Sequence, residues 1–160
     1  VGNLVGEADP TQAQYAAYVT VLVCFAGACF NTLCILLLRE SLVGLYSGDA
    51  DVIAIAVNLL LFAAIFQIPD GLQMGALGSL RGYKDTFAPM LMLIVTYWFL
   101  ALPVGYVLTY YGILGNALGA PGIWIGMITG LITFSALILP RLRYTSKKFI
   151  LKANLRPLSP

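Results

Sequence analysis

Charge divides the chain before any element is assigned. No Asp, Glu, Lys or Arg lies between Pro10 and Leu38, a charged connection follows from Arg39 to Asp51, and residues 86–140 are again free of charge. Between Asp51 and Arg81 a single carboxylate, Asp70, interrupts an otherwise apolar run. Crossing the hydrocarbon core of a bilayer takes about 20 apolar residues in a helix. The stretch 86–140 is therefore long enough for two crossings, and the chain for four. The pattern predicts helices over about residues 13–38, 51–80, 86–111 and 123–139, an all-α integral membrane protein. Asp9 or Thr11 is placed to cap the first helix with Pro10 in its first turn, and Asp85 to cap the third with Pro89 in its first turn.

Composition agrees with that reading. Hydrophobic residues make up 60% of the sequence, charged residues 10%, and histidine is missing; with a mean hydropathy of +0.89, this lies outside the range of soluble domains. The net charge of +2 is informative by position. Of the nine Lys and Arg, Arg39 is the one that falls in the first and third connections, while all others sit in the turn after the second helix and in residues 141–160. Cytoplasmic loops collect Lys and Arg, so 141–160 is expected to be a basic cytoplasmic tail with both termini on that side. A basic segment directly after a span fits loose attraction to anionic lipid headgroups; nucleic acid is not an expected partner. Cys24, Cys29 and Cys34, at spacings of five, match neither a disulfide framework nor a metal site and read as small packing residues. Val1 to Gln14 lacks a basic start, so no cleavable signal peptide is expected there. With no histidine, no nucleophile near a base and no metal-ligand cluster, the residues give enzymatic catalysis no support.

Asp70 is the candidate functional group. A carboxylate at the centre of a spanning helix costs roughly 2.5 to 3.5 kcal/mol or more, so such residues carry function by default. Gln67 and Gln73 lie three residues to either side and share its helix face, with Phe66, Met74 and Leu77 alongside. Pro69 removes a backbone donor and interrupts the helix, freeing the carbonyl near residue 65. Carboxylate, amides and a freed carbonyl together suit a small hard cation or a proton, both of which seek oxygen. Asn58, about 120 degrees round the helical wheel at 100 degrees per residue, falls off this stripe. Gly71, Gly75, Gly78 and Gly82, and Gly126 with Gly130, form small-xxx-small pairs suited to close helix contact. Asn31 is expected to serve a packing hydrogen bond and Arg81 to anchor at the interface. Tyr97 and Trp98, near the middle of the third helix, are candidates to line a cavity.

The strings FQIPDGLQMGALGSLRGYKDTFAPM, YWFLALPVGY and GIWIG, with VGNLVGEADPTQA near the start, resemble the carboxy-terminal part of the multidrug and toxic compound extrusion (MATE) transporters, in particular their NorM-like branch. The resemblance implies the last four helices of a twelve-helix, two-bundle antiporter in the bacterial inner membrane, exchanging cationic drugs or dyes for Na+ or H+. Asp70 matches an aspartate of that branch's coupling-ion site, where Gln67 and Gln73 flank it; the partner glutamate, on an earlier helix, has no counterpart here. Under this reading Phe66, Met74, Tyr97 and Trp98 are candidates for the substrate cavity, Asp70 is the Na+ ligand if sodium couples, and the missing helices are partners. Sodium and proton coupling are not separable on one carboxylate and two amides. The alternatives are a lipid-linked precursor flippase of the same superfamily and a non-transporting membrane subunit. The flippase would want a cationic cavity, and no Lys or Arg lies inside a predicted span.

Overall fold

The computed structural model describes residues 1–7, 9–46, 48–111 and 116–155. A short helix α1 (Gly2–Gly6) precedes α2 (Pro10–Gly44) and α3 (Ala50–Gly82). The third crossing is α4 (Phe87–Thr96), a π-helical turn over Tyr97–Ala101, and α5 (Leu102–Tyr110), and the fourth is α6 (Ala120–Asn154). All four crossings are long and apolar enough to span a membrane.

Local chemistry accounts for the boundaries. Asp9 caps α2, its carboxylate accepting from the Gln12 N–H at 3.0 Å with Pro10 opening the helix, and Asp49 caps α3 by accepting from Asp51 N–H. At the end of α3, Lys84 takes a left-handed φ of 60° and lets Asp85 N–H reach back to the Leu80 carbonyl. The π turn answers Pro103: lacking an N–H, Pro103 cannot bond the carbonyl four residues earlier, and just before it the ladder slips so that Leu102 N–H donates to Tyr97 O, five residues back.

Glycines set the helix spacing. A Cβ on Gly71 or Gly75 would meet Cys24, Ala28 and Val21, so α3 lies against α2 at backbone distance. On α6, Gly122, Gly126 and Gly130 face Thr109, Gly105 and Ala101, one turn apart each, and seat α5 in the same way. The stripe is one turn longer than the expected Gly126–Gly130 pair. Gly78, by contrast, faces open space, and Gly82 meets Val1. Between the two helix pairs runs the core, with Ala17 of α2, Ala76 and Leu80 of α3, and Phe134, Ile138 and Leu142 of α6.

Three expectations need correction. The fourth helix does not end at Leu139: it continues through Pro140 to Asn154, so the first two-thirds of the expected tail is helix. It continues because that segment has a face to bury. Leu142 and Ser146 are buried, Phe149 packs edge-on against Tyr83 at 5.7 Å, and Gln14 of α2 donates to Ser146 Oγ at 3.1 Å. Secondly, α3 runs unbroken through Pro69, so the proline removes a bond without ending the helix. Thirdly, Asp85 does not cap α4, whose N-cap is Thr86; it is engaged instead by α6. Asn31 lies on an exposed face of α2, open to helices or lipid outside these four crossings. Residues 112–115 of the expected third connection, and 156–160 of the expected tail, lie outside the described residues.

Candidate functional site

Asp70 sits half-buried on α3, one residue after buried Pro69 and one before Gly71, which α2 approaches closely. Two neighbours hold it in place. Gln73, one turn on, donates from Nε2 to Asp70 Oδ1 at 2.8 Å. Ser135 of α6 donates to the carbonyl oxygen of Pro69 at 2.9 Å, pinning the backbone beside the carboxylate to the fourth crossing. Tyr97, at the head of the π turn, closes the group, its phenol lying beside the Gln73 amide and within electrostatic reach of Asp70.

Gln73 is only 7% exposed. Its Oε1 is buried and lacks any hydrogen-bond partner, a condition that costs about 1–3 kcal/mol for a neutral group and marks the spot where a donor or a cation would be welcome. The cluster Asp70, Gln73 and Tyr97 can therefore hold a proton or accept a small cation on oxygen. Among the described residues, no group of three His, Cys, Asp or Glu is placed to bind a metal.

The other expected site residues are dispersed. Gln67 is partly buried and makes no hydrogen bond to Asp70 among the described residues. Phe66 packs edge-on against Trp124 of α6 at 6.1 Å. Met74 and Trp98 are exposed, at 56% and 66%, on surfaces that other helices or lipid would cover. Tyr97 lines a groove of about 320 Å³ with Ala101, Gly105 and Tyr106 of the same crossing and Met127 of α6. Asn58 is exposed and off the stripe, as the wheel predicts. Ser135 was not singled out by the sequence; its signal is a serine which, with Thr133, supplies the hydroxyls among the apolar residues between Gly130 and Pro140.

Below this site a second cluster fastens α6 to the turn after α3. Arg141 Nε donates to Asp85 Oδ2 at 2.7 Å, and Thr145 Oγ1 donates to the same oxygen at 2.8 Å. The hydrogen bond from Arg141 holds the Asp85 carboxyl below the usual carboxylate range, against the opposing effect of its burial. Burial, and to a lesser extent Tyr18, pushes the neighbouring Tyr83 phenol up.

Four apolar crossings joined by glycine contacts, with a carboxylate held inside one of them, define a multi-pass membrane protein. The model of the MatE family matches residues 1–107, and the chain belongs to that family, whose members are transporters and not enzymes. It is 39% identical over 150 residues to the multidrug resistance protein PmpM of Pseudomonas aeruginosa, covering 94% of this chain and 31% of that protein. It is 42% identical over 149 residues to the multidrug resistance protein NorM of Vibrio cholerae, covering 92% of this chain and 33% of the relative. Its fold matches the eukaryotic MATE transporter AtDTX14 with a TM-score of 0.78 at 18% identity, over 94% of this chain and 34% of that structure. The chain thus spans about a third of the length of its relatives.

Proposed function

We propose that these helices form part of a cation-coupled antiporter that expels organic cations such as drugs or dyes across the bacterial inner membrane, with Asp70 in the coupling-ion site. The observation that carries this reading is Asp70 itself, a carboxylate in the middle of a spanning helix whose direct partner is the neutral amide of Gln73 at 2.8 Å. A group so placed can be neutralised by a proton or by Na+, and exchange requires that the coupling ion and the organic cation are not both favoured at once. The relatives named for multidrug resistance support the transported class. Gln73 and Tyr97 complete the oxygen set around Asp70, and Gln67 faces the same stripe one turn earlier. The basic end of α6 faces the cytoplasm, as the distribution of Lys and Arg favours.

The test is efflux of ethidium from liposomes containing a full-length protein with these residues, under an imposed sodium gradient and then a proton gradient. Gradient-driven efflux that vanishes in Asp70→Asn, with the variant still folded, supports the reading and names the ion. Gradient-driven efflux retained by Asp70→Asn sinks it.

A further inference from the structure

The face of α3 opposite Asp70 borders a groove that the ion site does not use. Leu72, two residues on from Asp70 and about 200 degrees round the helix, lines it from α3. Tyr18, Leu22 and Phe25 line it from α2, and Leu142 and Arg143 from α6. The groove holds about 300 Å³ and follows α2 from Tyr18 to Phe25, roughly 10 Å at 1.5 Å per residue. The bond from Gln14 to Ser146 Oγ sets α2 and α6 at one level here. About 20 residues counted from Ala120, where α6 begins, carry that helix across the hydrocarbon to about Leu139. Arg143 lies roughly 6 Å further on, at the depth of the polar headgroups. Lys147, one turn later, shares its side of the helix. Both cations are exposed, and neither makes an ion pair among the described residues. No Asp or Glu follows Asp85 in the sequence.

We propose that this groove binds one anionic phospholipid of the bilayer, with its phosphate on Arg143 and Lys147 and the first part of an acyl chain against Leu22, Phe25 and Leu142. The order of the chemistry matches the ligand: cations stand at headgroup depth, and apolar side chains continue from them into the hydrocarbon. The planar guanidinium of Arg143 suits two oxygens of one phosphate, and Tyr18, at the same level, is a residue type that favours the membrane interface. Lipid is the occupant, rather than a further helix, because of which way the groove faces. The coupling-ion reading places the remaining helices around Asp70, and this orientation rests on that reading. A second groove at the same end of the bundle, lined by Leu77, Arg81 and Met90, lies on the Asp70 side of α3, since Leu77 is two turns from Asp70. That groove falls to the other helices; the one beside Leu72 is turned away from them. A helix laid over Arg143 would also have to bring its own carboxylate, whereas a phospholipid carries the anion and the apolar chain together.

Fluorescence quenching in bilayers containing a full-length protein with these residues tests the site. Leu22→Trp puts an indole in the groove at an exposed position, and its signal over the parent protein isolates it. Dibrominated phosphatidylglycerol is expected to quench this indole in preference to dibrominated phosphatidylcholine. The preference is expected to fall about fivefold in Arg143→Gln and further in Arg143→Gln with Lys147→Gln, each cation near an anionic headgroup contributing about fivefold. Lys148→Gln with Lys152→Gln removes the same charge from another side of α6, where Lys148 lies over the Tyr144 ring, and is expected to leave the preference in place. Equal losses in the two double variants overturn the site in favour of diffuse attraction to the membrane surface. Equal quenching by the two lipids overturns it as well, and quenching by neither shows that a protein segment fills the groove. Efflux has no part in this readout, so efflux retained by Asp70→Asn would remove the coupling role of Asp70 while the brominated lipids decide the groove independently.

Discussion

Ser135 on α6 donates a 2.9 Å hydrogen bond to the carbonyl of Pro69 on α3, 66 positions earlier in the chain. Both residues are buried. The contact joins the two long helices beside Asp70, where a missing proline N–H has already loosened α3. Ser135→Ala is expected to cost about 1 kcal/mol, the usual net worth of one hydrogen bond. It should also raise amide exchange in the turn around Pro69 more than in either end of α3. Unchanged exchange there would show that the bond does not restrain that turn.

Gly126 and Gly78 lie in similar sequence surroundings and should behave oppositely. A methyl group on Gly126 would run into the backbone of Gly105 and Ala101, so Gly126→Ala is expected to destabilise the α5–α6 pair by about 1–3 kcal/mol or more. A Cβ on Gly78 meets nothing within 4 Å in these helices, and Gly78→Ala should be neutral or stabilise by about 0.5–1 kcal/mol through the lower backbone entropy of the unfolded chain. Thermal unfolding in detergent separates the two.

The Asp85–Arg141 pair should make the cytoplasmic end of α6 sensitive to acid. Asp85 has its folded value lowered, chiefly by the Arg141 hydrogen bond, so its contribution is fully present above the ordinary carboxylate value of about 4. That contribution is lost as pH falls through the lower folded value. Hydrogen exchange over 141–154 is expected to quicken in that acid window and to be fast already at neutral pH in Asp85→Asn. Exchange in Asp85→Asn equal to wild type at neutral pH would show that the ion pair adds nothing to the helix.

Lys84 holds a left-handed conformation, φ 60°, that costs a residue with a Cβ roughly 1–2 kcal/mol. Lys84→Gly is expected to raise the melting temperature by relieving that strain at the end of α3. A lowered melting temperature would mean that the Lys84 side chain contributes more than its backbone costs.

The four crossings were legible because each is a long run almost free of charge, and membrane helices are specified by little else. Asp70 was legible for the converse reason, as the one charge within such a run. Gln73 stood out through its spacing of three from Asp70, but Gln67, at the same spacing on the other side, gave an identical signal and finds no bond to Asp70. Spacing along a helix places a residue on a face without saying which neighbour occupies that face. For that reason Tyr97, Ser135 and the partners of Asp85 could be assigned only once α4 and α6 were packed against α3. The length of α6 was hidden by Pro140 and the cations after it, both of which ordinarily signal a stop. What overrode them was tertiary: Leu142, Ser146 and Phe149 have places to go, and Asp85 waits for Arg141.

At 35 residues, α6 is about 52 Å long at 1.5 Å per residue, against roughly 30 Å for the hydrocarbon core. Some 20 Å of helix therefore extends beyond the hydrocarbon core, carrying Arg143, Lys147, Lys148 and Lys152. Such an extension is a lever arm. A small tilt of the spanning portion becomes a larger sweep of positive charge outside the membrane, and the Asp85 fastening makes the turn between α3 and α4 travel with it.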